Sequence, residues 1–259
     1  MPRLYLPIIQ IINNQISITA EKSHYLASVL RCQKGDEFIL FDGKGNCFRT
    51  TITKSDKKEV IAEVTEKFPC DLESPLNIIL VQGLLKGEKM DMVIQKTTEL
   101  GVKEIMPVIT VRSQIRETKK TARWRRIAEE AARQSGRSVI PVIHEPVEFK
   151  KSFDRSSRLR PGDAEARRRE EVKGFIFWEE KGVSLNEAIK KISVLPGHPF
   201  TGSPIHLLIG PEGGFTKEEV TLAQEKGLIV TSFGRRILRA ETAAISAVTL
   251  VQFLFGDMG

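Results

Sequence analysis

One stretch constrains this chain more than any other: residues 207–220 read LLIGPEGGFTKEEV. The apolar run that ends at Gly210 is typical of a buried strand, and the charged end is typical of a helix surface. One proline and three glycines leave almost no side chains at the turn, so another group can approach the main chain closely. The stretch therefore predicts a strand, a tight turn and a helix in direct succession.

The predicted helix has a defined start. Thr216 is a favourable N-cap, and Glu219 follows it at the spacing of a capping box. Phe215 and Val220 occupy the two positions of a hydrophobic staple. These four residues together predict that the helix begins at Lys217.

Ligands of open parallel sheets bind where the strands end, which makes this turn a candidate ligand site. The stretch matches neither a Walker sequence nor the dinucleotide pattern GxGxxG, which disfavours a nucleotide hydrolase. The residues alone leave two alternatives open: the glycines hold a ligand on bare main chain, or they only make a tight connection.

The chain after Pro75 alternates between strand and helix patterns, which favours an α/β fold with a mostly parallel sheet covered by helices. The predicted strands are 76–82, 104–109, 175–178, 205–210 and 228–233, and the predicted helices are 86–101, 119–136, 184–192, 217–226 and 240–255. The segments 154–174 and 195–204 are predicted loops, because the first is highly charged and the second is rich in proline and glycine.

The first seventy residues have a different pattern. Three β-rich runs, 37–41, 47–53 and 59–65, are separated by turn sequences and preceded by a helical pattern at 20–31. They predict a small β-barrel that carries one helix. The prolines near residue 72 mark a linker, so two domains are expected, 1–72 and 73–259.

The composition excludes several classes of protein. No apolar run approaches the roughly 18 residues of a membrane span, and the N-terminus lacks the pattern of a signal peptide. Cys32, Cys47 and Cys70 form no CxxC motif, which favours a reducing compartment, and the four histidines show no ligand spacing. A cytoplasmic protein with no metal site and no membrane partner is therefore expected.

Positive charge is concentrated in one segment. Residues 110–137 hold nine basic and three acidic residues, in a chain with a net charge of +7. Such a localised basic surface favours a polyanion such as RNA, although a charged stripe is more often only a solvated helix face. The candidate phosphate contacts are Arg112, Arg116, Arg123, Arg126, Arg133 and Arg137.

The C-terminal stretch, residues 232–255, reads SFGRRILRAETAAISAVTLVQFLF. A second glycine, Gly234, follows a predicted strand, and the final helix is apolar nearly all round. Such a helix must be covered on most sides. Two explanations fit: the helix packs against a second subunit as well as the core, or it is buried within a monomer.

The two glycine-containing stretches, together with EKMDMVIQKTTELGVKEIMPV and WRRIAEEAARQSGR, resemble the ribosomal RNA small subunit methyltransferase E family. This family belongs to the SPOUT class of S-adenosylmethionine (SAM) methyltransferases. The resemblance covers nearly the whole chain, and only the charged segment 154–174 departs from the family pattern.

The resemblance implies a PUA-like RNA-binding β-barrel, followed by a parallel-sheet domain with a deep trefoil knot. It also implies a homodimer, a 16S rRNA substrate in the small ribosomal subunit, and methylation of N3 of a uridine near the decoding centre. The SAM-binding residues would be Leu208, Ile209, Gly210, Pro211, Phe233, Gly234, Ile237, Leu238 and Ala243.

Removal of the N3 proton leaves negative charge on the uracil, which a fixed cation would stabilise. Arg239 is the expected cation, and Glu212 is expected to orient the base or accept the proton. Gln82 and Lys86 are further candidates for uridine contact. The alternatives are structural pairing of Arg239 and Glu212 with local partners and, for the whole chain, a non-catalytic RNA-binding or ribosome-assembly factor.

Overall fold

The computed structural model describes residues 1–70, 72–154, 172–192 and 203–259. Two compact units are present: Met1–Glu73 with Glu129–Ile140, and Ser74–Ala128 with Pro141–Gly259. The sequence places all of 129–140 in the second domain, because the prolines of 68–75 mark the predicted linker. Most of the predicted loops at 154–174 and 195–204 lies outside the described residues.

The first unit is built on a five-stranded sheet in the order β1-β3-β4-β5-β2. Its strands pair antiparallel, except that β1 is parallel to β3. The helix predicted at 20–31 is a short α-helix, α1, that continues as a π-helical turn at Tyr25–Val29. The element bounds are β1 Arg3–Tyr5, β2 Gln15–Thr19, α1 Ala20–His24, β3 Glu37–Phe41, β4 Asn46–Ser55 and β5 Glu59–Pro69.

Cys47 and Cys70 form a disulfide in this unit, with their Cα atoms 5.9 Å apart. Their spacing in the sequence, which lacks a CxxC motif, gives no indication of this pair. The strand ladder explains the pairing, because Cys47 lies opposite Phe68 and Asn46 lies opposite Pro69, next to Cys70. Cys32 is a free, buried thiol.

The second unit has an eight-stranded sheet in which every pair of neighbours is parallel, as the alternating pattern predicts. The order is β11-β13-β10-β12-β6-β7-β8, and β9 also pairs with β7. The bounds are β6 Ile78–Gly83, β7 Glu104–Ile109, β8 Val142–Ile143, β9 Val147–Glu148, β10 Gly174–Phe177, β11 Val183–Ser184, β12 Ile205–Ile209 and β13 Ile229–Ser232.

The helices fall where their periodicity predicts them. They are α2 Lys89–Glu99, α3 Thr121–Gln134, α4 Leu185–Ile192, α5 Lys217–Glu225 and α6 Ala240–Phe255. Helix α6 packs on α2 and on the central strands β6 and β12. Its side chains Leu250, Phe253 and Leu254 remain exposed. None of the helices in the described ranges is long and apolar enough to cross a membrane.

The predicted capping box at the start of α5 is confirmed. The hydroxyl of Thr216 accepts the amide N–H of Glu219 at 3.3 Å, and the Glu219 carboxylate accepts the amide N–H of Thr216 at 2.9 Å. The second oxygen of the same carboxylate accepts the amide N–H of Val111 at 2.9 Å. Phe215 and Val220 are both buried in the core of the unit. The direction of α5 is therefore fixed from its first residue.

Replacement of Thr216 by alanine tests this cap. The Thr216→Ala variant should lose about 1 kcal/mol of unfolding free energy in urea titrations, because the amide of Glu219 loses its acceptor. The matched control is Thr221→Ala, since the hydroxyl of Thr221 is exposed and bonds only to the carbonyl of Lys217 within α5. Equal stability losses in the two variants would contradict the assigned role of the cap.

Candidate functional site

A cavity of about 700 Å³ lies where β10, β12 and β13 end, within the second unit. Three segments form most of its wall: residues 177–179 after β10, the glycine turn 209–214 after β12, and residues 232–241 between β13 and α6. Lys89 and Ala243 complete the lining. The carboxyl ends of three neighbouring parallel strands thus meet around one opening, as expected for a ligand site in a sheet of this class.

Gly210 is closely packed within the turn itself. A side chain at this position would press on the backbone of Gly214 and Phe215, whose nearest atoms would be only 3.1–3.2 Å from its Cβ. This differs from the expectation that Gly210 leaves bare space for a ligand. Gly210 still lines the cavity, but the absence of a side chain there serves the closure of the turn.

Gly234 is different. Its φ of +91° lies in the left-handed region that favours glycine, and no atom lies within 4 Å of where its Cβ would be. This corner of the cavity is open. Gly234 is therefore the glycine that leaves room for a ligand against the main chain.

Side chains from other segments hold the glycine turn in place. The side-chain amide of Gln82, at the end of β6, donates to the carbonyl of Gly210 at 3.3 Å. The guanidinium of Arg112, after β7, donates to the carbonyl of Gly213 at 3.1 Å. Both residues were expected to contact RNA. Instead, the buried Gln82 supports the turn, and the exposed Arg112 supports it as well.

Glu212 projects from the turn and accepts two hydrogen bonds at one oxygen, from the amide of Lys86 at 3.1 Å and from the ammonium of Lys89 at 3.0 Å. Partial burial alone would raise the pKa of Glu212. The hydrogen bonds outweigh burial and hold the pKa below its ordinary value of 4.5. Glu212 is therefore a poor proton acceptor near neutral pH, and its geometry favours a positioning role.

Three arginines lie on the cavity wall between β13 and α6: Arg235, Arg236 and Arg239. All three are exposed, and none forms an ion pair or hydrogen bond within the part of the chain that the structure describes. Arg239 is the N-cap residue of α6. The structural pairing considered for Arg239 does not occur within the described ranges, which leaves its charge available to a substrate.

The cavity wall also contains two acids that lack partners among the described residues, Glu179 and Glu241. Glu179 is exposed, and its carboxylate lies against the Cα of Gly214. Glu241, in the first turn of α6, is only 9% exposed, and its Oε2 has no hydrogen-bond partner. Nearby, the rings of Phe177 and Phe233 stack with centroids 4.3 Å apart and join the ends of β10 and β13.

The residues expected to bind a cofactor are brought together by this fold. Leu208 is the exception, since it is buried inside β12 and does not line the cavity. The others lie on the cavity wall: Ile209, Gly210, Pro211, Phe233, Gly234, Ile237, Leu238 and Ala243.

Most of the arginines expected to bind RNA have internal partners. Arg123 pairs with Asp91 at 2.8 Å, and Arg133 pairs with Glu130. Arg137 is only 2% exposed and pairs with Glu73 at 2.8 Å, which removes it from any phosphate-binding surface.

Three further expected RNA contacts are exposed and form no ion pair among the described residues. Arg116 donates only to the carbonyl of Val111, and Arg126 has no polar partner among the described residues. Lys86 is exposed, and its amide rather than its ammonium makes the contact with Glu212. These side chains remain available to a partner.

Several cavity residues were missed from the sequence: Lys89, Phe177, Glu179, Arg235 and Arg236. A signal was available for four of them, because each lies at or just after the end of a predicted strand, as the glycine turn does. Lys89 had no such signal, since it reaches the cavity from the start of α2. No group of three or more potential metal ligands occurs in the described ranges.

Comparisons with known proteins agree with this architecture. Residues 72–252 match the family described as RNA methyltransferase domain, and residues 18–65 match the RNA methyltransferase PUA domain. A ribosomal RNA small subunit methyltransferase E from Synechocystis is 33% identical over 253 residues, which cover 97% of this chain and 77% of the relative.

Two solved structures share the fold. One is the ribosomal RNA small subunit methyltransferase E from Neisseria gonorrhoeae bound to SAM, with a TM-score of 0.84, 32% identity and complete coverage of both chains. The other is a putative methyltransferase from Legionella pneumophila in complex with SAM, with a TM-score of 0.80, 34% identity and 98% coverage of both chains.

The parallel sheet with its strand-end cavity, preceded by a PUA domain, defines an RNA methyltransferase. Within this class, the chain belongs to the ribosomal RNA small subunit methyltransferase E family.

The hydrogen bonds from Lys86 and Lys89 to Glu212 predict that the stability of the protein depends on pH. Because its folded-state pKa is lowered, its contribution to stability is present above the unfolded pKa and is lost as the pH falls through the folded value, which lies below 4.5. The Glu212→Gln variant should therefore be less stable than the wild type at pH 7, by about 1 kcal/mol in urea titrations. This difference should shrink as the pH falls below 4.5.

The matched control is Glu225→Gln, which changes an exposed acid at the end of α5. Its stability difference from the wild type should remain small at every pH. A Glu212→Gln difference that does not change as the pH falls well below 4.5 would contradict a stabilising role for the charged Glu212 carboxylate.

Proposed function

We propose that this chain methylates N3 of a uridine near the decoding centre of 16S rRNA, with SAM as the methyl donor. The observation that carries the proposal is the cavity, which combines an open main-chain corner at Gly234 with unpaired arginines in a member of this family. The alternative, an RNA-binding assembly factor without chemistry, gives no reason for such a cavity.

The cavity fits SAM in size and in chemistry. Its volume of about 700 Å³ is within the usual range for small-molecule sites. Apolar side chains from the glycine turn and from the loop before α6 can contact the adenosyl group, and the corner at Gly234 leaves main-chain groups accessible. The proposed SAM-binding residues are Ile209, Gly210, Pro211, Phe233, Gly234, Ile237, Leu238 and Ala243.

The overall reaction replaces the N3–H bond of uridine by an N3–CH₃ bond and releases S-adenosylhomocysteine and a proton. SAM supplies a methyl group that is already activated by its sulfonium. The protein must therefore hold the acceptor in line and stabilise the charge that develops on the uracil. Arg239 is the proposed catalytic residue, because its unpaired guanidinium stands on the cavity wall.

The lowered pKa of Glu212 disfavours it as the base, and we assign it to the positioning of the turn through Lys86 and Lys89. The proton then leaves through another acceptor, such as water. This revises the expectation that Glu212 takes part directly in proton transfer.

The RNA surface is proposed to begin at the rim of the cavity. Arg235 and Arg236 are exposed there and have no polar partner in the part of the chain that the structure describes, and Arg112 lies beside the glycine turn. Guanidinium groups bind phosphate well, and phosphate contacts position an RNA without reading its sequence. Arg116 and Arg126 are the other exposed arginines that we include in this surface.

We also propose the homodimer and the deep trefoil knot that family membership implies. In support of the homodimer, the C-terminal half of α6 exposes Leu250, Phe253 and Leu254 to solvent, although Val248 and Val251 on the same helix are buried. Apolar side chains grouped on a helix are typical of a subunit interface. A cytoplasmic location would follow from the ribosomal substrate.

The decisive experiment incubates the protein with SAM and with small ribosomal subunits that lack the modification, and maps the product by mass spectrometry. We expect one added methyl group on N3 of a single uridine. Arg239→Ala should slow this transfer by about a hundredfold or more while SAM affinity, measured by calorimetry, stays within about twofold. Calorimetry that detects no SAM binding to the wild type would refute the proposal, and normal turnover in the variant would exclude Arg239.

Salt dependence tests the RNA surface. Arg235→Ala and Arg236→Ala should each lower the slope of log affinity against log salt concentration by about one unit, for a fragment of the decoding region. Arg125→Ala is the matched control, because that guanidinium already pairs with Glu145 and with the carbonyl of Ile143. Slopes that are identical in all four proteins would exclude Arg235 and Arg236 from the surface.

A further inference from the structure

The charges on the cavity wall are poorly matched to the proposed donor. Arg235, Arg236 and Arg239 contribute three positive charges, and the N-terminus of α6 adds the positive end of a helix dipole. SAM itself is cationic, because its sulfonium and ammonium together outweigh its carboxylate. A cation in this cavity therefore requires a negative group near it.

Three acids line the cavity, and only one is buried without a partner. Glu212 is bound by Lys89, and the exposed Glu179 can be solvated by water. Glu241 is 9% exposed, and its Oε2 has no hydrogen-bond partner. Although Arg239 is only two residues away, the two side chains do not pair within the described structure.

A buried carboxylate without a partner is costly, because burial removes its hydration and nothing replaces it. Such a group in a native structure requires an explanation, and a ligand that completes the site is one. The part of the cavity wall next to Glu241 is largely apolar, with Leu238, Ala240 and Ala243. A cation that needs no hydrogen-bond acceptors fits this environment better than an ammonium does.

We infer that Glu241 is the counter-charge for the sulfonium of SAM and that it makes the site discriminate between donor and product. The inference rests on the proposed function. Methyl transfer converts the sulfonium to a neutral thioether, so the attraction to the carboxylate exists before the reaction and not after it. Glu241 is therefore a specificity-determining residue that favours binding of SAM over retention of S-adenosylhomocysteine.

Calorimetric titration of SAM and of S-adenosylhomocysteine into Glu241→Gln tests the inference without any measurement of activity. Removal of the charge should weaken SAM binding by about tenfold or more, whereas the affinity for the neutral product should change by less than about twofold. The conservative variant Glu241→Asp should retain part of the preference for SAM, because it keeps the charge.

The matched control is Glu218→Gln. Glu218 is the second residue of α5, as Glu241 is the second residue of α6, but it is exposed and lies outside the cavity. Both ligands should bind this control with wild-type affinity, which separates a specific counter-charge from a general effect of an acid at a helix N-terminus. Thermal unfolding of each variant verifies that it is folded.

Two results would overturn the inference: an equal loss of affinity for both ligands in folded Glu241→Gln, or unchanged affinity for both. If Glu241→Gln does not fold, Glu241→Asp decides, since a loss shared equally by both ligands overturns the inference there too. A wild-type protein that binds neither ligand would instead refute the proposed function itself.

Discussion

The close packing of the glycine turn on itself is the constraint on which the site depends. A Cβ at Gly210 would lie only 3.1–3.2 Å from backbone atoms of Gly214 and Phe215, which is tighter than ordinary van der Waals contact, and α5 begins at Lys217. One oxygen of the Glu219 carboxylate accepts the amide N–H of Thr216 at the start of α5, and the other accepts the amide N–H of Val111. The turn is therefore built as a rigid edge of the cavity, and the ligand does not have to shape it.

The sequence predicted the parts of the fold that carry a long, regular pattern. The parallel strands and the five helices of the second unit follow from periodicity, and the start of α5 follows from Thr216 and Glu219. The two-residue strands β8, β9 and β11 are too short to show a period. The disulfide was missed because Cys47 and Cys70 become neighbours only through the register of β4 and β5.

The cavity was more predictable from the sequence than the RNA-contact arginines were. Strand ends located the turn and the loop before α6, because parallel strands bring their carboxyl ends together. The run of arginines was less informative, because the density of charge along a helix does not show which side chains form ion pairs with it. Asp91 and Glu73 come from distant positions to neutralise Arg123 and Arg137. The arginines without internal partners are the better candidates for phosphate.

The segment Glu129–Ile140 shows that the first unit is not a continuous piece of chain. The buried ion pair between Arg137 and Glu73, and the guanidinium of Arg133 over the ring of Tyr25, attach this segment to residues that precede it by more than fifty positions. A fragment that ends at the linker would lose these attachments and expose the surface they cover. A single crossover could not exchange this unit between proteins, so the unit with the PUA domain and the methyltransferase unit are expected to be inherited together.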